Sequence, residues 1–194
     1  PTYGSPGFQA ALDEVRQVAR HRTPEQTKIA QRWDASDPWA RWNEVASAAV
    51  VRHHMADAQA ARVLAVLNAG ASDAIIACFE AKYFYWTIRP SQADTTLALA
   101  DSVGLPNFPS YPSGHACSAG AFDAVLEHFF PQDRAEFTQI AEEQAMSRLY
   151  GGIHYRFDND GGLALGRAVA RYDAERDRRR GVAAWSTAGI AGQP

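Results

Sequence analysis

Two cationic side chains, Lys82 and Arg89, stand seven residues apart in an aromatic stretch. On a continuous α-helix seven residues turn by about 700°, some 20° short of two full turns, so both would project from one face about 10 Å apart along the axis. Side chains of this length could converge on a single anion. The simpler interpretation, two cations that extend past aromatic rings into solvent, stays open for this segment alone.

A second segment, Ser113-Gly114-His115, follows a proline-rich stretch and has the residue types of a helix start. The Ser113 hydroxyl would accept a hydrogen bond from the first helical turn, and Gly114 would let the backbone approach a ligand closely. Free N–H groups at a helix start favour negative charge, so His115 would be held beside a bound anion. A capped helix with a packed histidine is the alternative.

The third segment contains Arg148, His154 and Asp158. Because Asp158 follows His154 by four residues, in a helical turn its carboxylate could accept the Nδ1 proton and leave Nε2 facing a site. Such an imidazole has a fixed tautomer and could act as a nucleophile or a ligand. A local His–Asp pair on a surface turn is the alternative.

The elements that must position these residues are predicted to be helices, because alanine is abundant and helix-start signals recur. Three short helices are predicted to begin at Ser5-Pro6, Thr23-Pro24 and Asp37-Pro38. Longer helices are predicted over residues 57–86, 114–130, 132–149 and 158–180, with an ordered loop over 103–114. Arg89-Pro90 should end the first of these, since a residue before proline avoids the helical region. The tryptophans near the second short helix, Trp33, Trp39 and Trp42, are interpreted as packing aromatics.

Length and charge restrict the function further. The 194 residues fit one domain, with N-terminal helices over 1–56 and a bundle over 57–180 that carries all three segments. A net charge of −3 argues against nucleic-acid partners. Charged residues interrupt the most apolar segment, 58–86, so we expect no membrane span and a soluble protein. A periplasmic or secreted location after removal of an N-terminal segment is one option, and the compartment and any oligomer stay open.

Taken together and in order, the three segments resemble a known family. The patterns Lys-x6-Arg-Pro, Pro-Ser-Gly-His and Ser-Arg-x5-His-x3-Asp are similar to those of the acid phosphatase and vanadium haloperoxidase superfamily, also called the type 2 phosphatidic acid phosphatase superfamily. Three ordered motifs are far more specific than any one alone. The resemblance implies an all-α helical bundle that holds phosphate or vanadate between the motifs.

The resemblance also implies a role for each matched residue. The oxygens of the anion would be held by Lys82, Arg89, Ser113, Gly114 and Arg148. His154 would bond phosphorus, or the vanadium of vanadate, and Asp158 would orient it. His115 would exchange a proton with the leaving or apical oxygen. Phe108, seven residues before His115, would line a halide or substrate pocket.

Two enzyme chemistries fit this apparatus. A haloperoxidase would hold vanadate as its cofactor and oxidise halide with hydrogen peroxide, whereas an acid phosphatase would cleave a small phosphoester through a phosphohistidine without any cofactor. The runs around Phe108–His115 and His154–Asp158 resemble fungal-type vanadium chloroperoxidases, so haloperoxidase is our first hypothesis. The short chain suits a compact phosphatase, which is the second. A catalytically silent oxyanion-binding domain is the third.

Overall fold

A computed structural model describes residues 1–184, with side chains through Arg179. These residues form eight α-helices and one 3₁₀ turn. In chain order the elements are α1 (Pro6–His21), α2 (Pro24–Ala35), α3 (Pro38–Arg52), α4 (Asp57–Tyr85), α5 (Pro90–Ala93), α6 (Gly114–Phe129), the 3₁₀ turn Pro131–Asp133, α7 (Arg134–Tyr150) and α8 (Arg156–Ala184). Residues 1–184 contain no strand, so the all-α prediction is confirmed. The single domain over 1–194 stays a prediction, and its residues 185–194 lie outside the described part.

The three predicted short helices begin where their capping signals stand. Ser5 Oγ and Thr23 Oγ1 each accept a backbone N–H three residues ahead at 3.2 Å, and Asp37 Oδ1 accepts the Trp39 N–H at 2.9 Å. Each cap is followed by a proline at the first helical position. Local hydrogen-bonding groups therefore set these boundaries.

Helix α6 is the centre of the bundle. It packs against α8, α4 and α7, and all residues from Ala116 to Leu126 are buried. Its first half consists mostly of alanine and other small residues, which allow the surrounding helices to approach its backbone closely. The N-terminus of α6, with Ser113 and His115, is thereby enclosed by neighbouring elements.

A close approach between backbones joins α8 to the start of α6 at Gly162. A Cβ atom there would lie 2.7 Å from both the Ala116 Cβ and the Ser113 carbonyl oxygen. Beside this contact the Ser113 N–H donates to the Asp158 carbonyl oxygen at 2.9 Å. The absence of a side chain at residue 162 thus allows the second and third motifs to meet.

We expect Gly162→Ala to lower the free energy of unfolding by about 1–3 kcal/mol, because the added methyl group must push two packed backbones apart. Urea unfolding followed by circular dichroism measures this change. Gly7→Ala in α1 is the control: its Cβ would meet only Pro1 at 3.6 Å, and alanine is the better helix former. Equal destabilisation by both substitutions would contradict the close-packing explanation.

The apolar helix α4 tests the prediction that the chain has no membrane-spanning helix. Together with the turn through Ala93 it is, within the described range, the one helix long and apolar enough to cross a membrane, and one third of its most apolar window is buried. Length and composition therefore do not exclude a span. The expectation of a soluble protein without a span stays a prediction.

Candidate active site

Lys82 lies one turn before the end of α4 and is fully buried. Its Nζ donates to the carbonyl oxygens of Pro109 at 2.9 Å and Ser110 at 3.0 Å, and also to that of Pro112. Burial lowers the pKa of Lys82 to about 8. The loop before α6 therefore encloses this ammonium group with backbone oxygens, which offset part of its desolvation.

Arg89 reaches the same place by a different route from the predicted one. The expectation that Lys82 and Arg89 share one helix face is wrong, because α4 ends at Tyr85 and Trp86 adopts a left-handed conformation with φ of 49°. Arg89 is then held extended, with ψ of 155°, by Pro90. The two cations nevertheless converge: Lys82 Nζ lies 5.1 Å and Arg89 Cζ 5.2 Å from the ring centroid of Phe108.

The Arg89 guanidinium extends from Phe108 to His154. Its Nε donates to the Phe108 carbonyl oxygen at 3.1 Å, and its Nη1 donates to the Ile153 carbonyl oxygen at 2.9 Å. The same Nη1 lies 3.0 Å from His154 Nε2. Burial lowers the pKa of Arg89 to about 10. Arg89 thus places a positive charge directly against one imidazole nitrogen.

His154 and Asp158 form the contact that their spacing predicts, although not within one helix. His154 stands two residues before α8 begins, and Asp158 lies in the first turn. His154 Nδ1 is 2.8 Å from Asp158 Oδ2. A carboxylate only accepts, so Nδ1 carries the proton, and the lone pair of Nε2 accepts the N–H of Arg89. Burial holds the pKa of His154 well below its ordinary value, and burial raises that of Asp158 to about 6.

Ser113, Gly114 and His115 open α6 as predicted. Ser113 Oγ accepts the Ala116 N–H at 3.4 Å, and a Cβ on Gly114 would have no described atom within 4 Å. His115 Nε2 lies 3.2 Å from the Trp33 carbonyl oxygen, so this nitrogen carries the proton. Burial, followed by the charge of Arg148, lowers the pKa of His115 to about 3. The imidazole is therefore neutral in the anion-free protein.

Arg148 projects from α7 with only 2% of its side chain exposed. Its Nη2 donates to Asp34 Oδ1 at 2.9 Å. Its Nε and Nη1 are buried and have no hydrogen-bond partner among the described residues. Two N–H groups of a buried cation thus lack an acceptor. A buried donor without a partner lowers the stability of the fold, and a ligand that accepts these hydrogen bonds would remove this cost.

Three participants at the site were absent from the predicted set. Asp34, at the end of α2, pairs with Arg148, and its Oδ2 accepts the Gly104 N–H at 3.1 Å. Trp33 offers its carbonyl oxygen to His115. Ser110 Oγ donates to Asp158 Oδ2 at 2.6 Å. No local sequence pattern marks Asp34 or Trp33 as site residues. Ser110 lies between Phe108 and Ser113, so its position in the sequence could have suggested a role at the site.

Asp34 is expected to act as the counter-charge of Arg148 until an anion binds. Asp34→Asn leaves a buried guanidinium without its carboxylate, so we expect the free energy of unfolding to fall by up to about 3 kcal/mol in anion-free buffer. Saturating phosphate should then raise the melting temperature more in the variant than in the wild type. Asp13→Asn, which removes an exposed ion pair with Arg16, is the control and should change neither value. An equal phosphate response in all three proteins would contradict the counter-charge role.

The low pKa of His115 predicts an acid-sensitive fold. Between its ordinary value of 6.5 and about 3, His115 is neutral in the native protein but protonated in the unfolded chain. The unfolded state therefore binds one more proton, and the free energy of unfolding falls as the pH drops through this window, by up to about 1.4 kcal/mol per pH unit from this residue. We expect His115→Asn to remove that part of the slope in urea titrations at several pH values. A slope identical to that of the wild type would refute the assignment.

A conventional protein-bound metal ion does not fit this site. Among the residues that the structure describes, no three His, Cys, Asp or Glu side chains form a group that could hold one. The site, called the cup from here on, instead gathers Lys82, Arg89 and Arg148 around His154, whose pKa is lowered by burial and then by the charges of Arg89, Lys82 and Arg148. Two carboxylates complete it: Asp34 pairs with Arg148, and Asp158 with His154. Such a net positive, partly desolvated cluster favours a multiply charged oxyanion.

Comparisons with known proteins agree with this geometry. The family profile described as PAP2 superfamily matches residues 52–177. The chain is 34% identical over 102 residues to a vanadium-dependent bromoperoxidase of Ascophyllum nodosum, covering 38% of this chain and 18% of that protein. It is 42% identical over 69 residues to a lipid A 1-phosphatase of Rhizobium johnstonii, covering 36% of this chain and 28% of that protein.

A solved structure resembles the chain over most of its length. The crystal structure of a bacterial vanadium-dependent iodoperoxidase matches 91% of this chain and 52% of its own, with a TM-score of 0.80 and 27% identity. The chain thus spans about half the length of that protein, and less than a third of the two curated relatives.

Proposed function

Because the chain belongs to the PAP2 superfamily, whose members are haloperoxidases or phosphatases, we propose that it is a vanadium-dependent haloperoxidase-like enzyme. The similarity to the iodoperoxidase supports this choice, because its TM-score is 0.80 at 27% identity. A transmembrane PAP2 type phosphatase of Bacillus subtilis covers the same 91% of the chain but has a TM-score of 0.59 at 17% identity. Two local patterns add support: Phe108 seven residues before His115, and the run His154-Tyr-Arg-Phe-Asp158.

The observation that carries the proposal is the pair of buried N–H groups on Arg148 that lack an acceptor within the described residues. They belong to the same cup as Lys82 and Arg89, because burial and then the charges of Arg89, Lys82 and Arg148 all lower the pKa of His154. Phosphate and vanadate both offer several anionic oxygens to such donors. Vanadate additionally needs a neutral imidazole ligand, and His154 is held in the tautomer that supplies one.

Each residue then has a distinct task. Arg148 would bind oxygens of the anion through Nε and Nη1, Lys82 and Arg89 would neutralise its charge, and Ser113 and the Gly114 N–H would add hydrogen bonds. His154 would hold vanadate through Nε2 while Asp158 orients the ring. Bound vanadate would supply activation of hydrogen peroxide for the oxidation of halide.

His115 would move the proton. Its pKa is lowered to about 3 by burial and by the charge of Arg148. An anion that offsets this charge favours the imidazolium, so binding prepares His115 to donate to an oxygen of the anion or its substrate. Phe108 would line the halide or substrate pocket beside Lys82 and Arg89.

Halogenation of monochlorodimedone tests the proposal. We expect turnover with chloride, bromide or iodide that requires vanadate and hydrogen peroxide and is absent in His154→Ala. His128→Ala is the matched control, because His128 lies in the last turn of α6, at the end opposite His115, and packs against Phe129. No halogenation with any of the halides would end the haloperoxidase hypothesis.

A soluble, metal-independent acid phosphatase is the second candidate, favoured by the 42% identity to the lipid A 1-phosphatase. In that case His154 Nε2 would attack phosphorus, His115 would protonate the leaving oxygen, and water would then cleave the phosphohistidine. Phosphate release from a phosphoester, unaffected by chelators and blocked by vanadate, would support it. Turnover in neither assay, with phosphate still bound, would favour a silent oxyanion-binding domain.

A further inference from the structure

Ser110 lies in the loop between α5 and α6 and is fully buried. Its hydroxyl donates to Asp158 Oδ2 at 2.6 Å. The same oxygen accepts the Nδ1 proton of His154 at 2.8 Å and the Tyr155 N–H at 3.1 Å. Asp158 Oδ1 is buried and has no partner within the described part of the chain. Three donors therefore converge on one oxygen and fix which edge of the carboxylate faces the imidazole.

The backbone of Ser110 is held independently of its hydroxyl. Its N–H donates to the Thr87 carbonyl oxygen at 2.8 Å, and its carbonyl oxygen accepts Lys82 Nζ at 3.0 Å. Removing the hydroxyl would thus delete one side-chain hydrogen bond and leave the loop attached to α4 and its following turn. This makes the contribution of the hydroxyl separable from that of the loop.

We propose that Ser110 is a positioning residue that locks the Asp158 carboxylate, so that His154 keeps its proton on Nδ1 and presents Nε2 to the oxyanion. The hydroxyl proton belongs to the Asp158 bond, because a carboxylate can only accept. Ser110 Oγ lies 3.4 Å from His154 Nδ1, so the two donors flank the same oxygen side by side. Without the hydroxyl the carboxylate can rotate its second oxygen toward the ring, and the imidazole loses its fixed orientation.

The effect of Ser110 on vanadate binding rests on the proposed function, whereas its effect on the tautomer of His154 can be measured without it. In ¹⁵N-histidine NMR spectra of the anion-free protein, we expect His154 to be protonated at Nδ1 alone, with its signals assigned by their loss in His154→Ala. Ser110→Ala should give a mixture of both tautomers or a rapidly exchanging Nδ1 proton. Ser110→Thr, which keeps a hydroxyl, should restore the wild-type pattern.

The second readout is the difference between two anions. The cations would hold phosphate and vanadate alike, whereas His154 would also ligate vanadate, so Ser110→Ala should weaken vanadate binding about 10–100-fold and phosphate binding less than twofold. Isothermal titration calorimetry measures both. Ser47→Ala is the control, because it removes a hydroxyl whose 2.7 Å bond goes to the Asn43 carbonyl oxygen within α3, away from the site.

The outcomes separate the two hypotheses. A wild-type protein that binds vanadate no better than phosphate contradicts the haloperoxidase proposal, and the NMR comparison still decides the role of Ser110. A Ser110→Ala protein with the wild-type tautomer and vanadate affinity overturns the positioning role. Should Ser110→Ala unfold, Ser110→Cys keeps the volume with only a weak donor and is measured in its place, with the same expected result.

Discussion

Replacing His154 by alanine is expected to abolish turnover, with kcat reduced on the order of 10⁴-fold or more, because it removes the imidazole that would bond phosphorus or vanadium in either chemistry. Its Nε2 is directed to the cup by the 2.8 Å contact between Nδ1 and Asp158. Vanadate affinity should fall together with turnover. Steady-state kinetics and calorimetry with vanadate measure the two losses.

His115→Ala is the matched comparison, because it removes the other imidazole of the cup. We expect its anion affinity to stay within a few-fold of that of the wild type while kcat falls about 10²–10⁴-fold, the usual contribution of a proton-transfer group. His115 bonds a backbone carbonyl, that of Trp33, rather than a cation or carboxylate of the site. Equal loss of anion binding in both variants would contradict this division of roles.

Much of the fold could be predicted because its signals are local. The caps at Ser5, Thr23 and Asp37 act within one helical turn, and α1, α2 and α3 each begin at the next residue. Ser113 caps α6 for the same reason. The contact between His154 and Asp158 also depends on a short spacing, which brings the groups together although the chain is not yet helical at residue 154.

The remaining parts of the site depend on contacts that no local pattern encodes. Asp34 reaches Arg148 across 114 positions, and only the packing of α2 on α7 brings them together. Lys82 and Arg89 could share one face only on a continuous helix, but α4 ends at Tyr85 and Pro90 holds Arg89 extended. The two cations still lie close together, because the chain leaves the helix at Trp86 and both side chains contact the ring of Phe108.

Arg148→Ala is expected to weaken phosphate and vanadate binding by about 3–5 kcal/mol, or roughly 150- to 5,000-fold in Kd, because it removes a buried cation with two N–H groups that have no acceptor. Within the described residues, Nε and Nη1 find none. The variant also leaves Asp34 unpaired beside the cup, where its charge repels the anion. Isothermal titration calorimetry with inorganic phosphate measures the loss.

Two further variants separate charge from geometry at this position. Arg148→Lys keeps the positive charge but loses the planar donors, so its affinity should fall between those of the wild type and Arg148→Ala. Arg62→Ala removes an arginine that pairs with Asp177 at 2.6 Å and should leave phosphate affinity unchanged. If Arg148→Lys binds as tightly as the wild type, charge alone explains the site. If Arg148→Ala also binds normally, the anion lies elsewhere, because losing a guanidinium that donates to the bound anion must weaken binding.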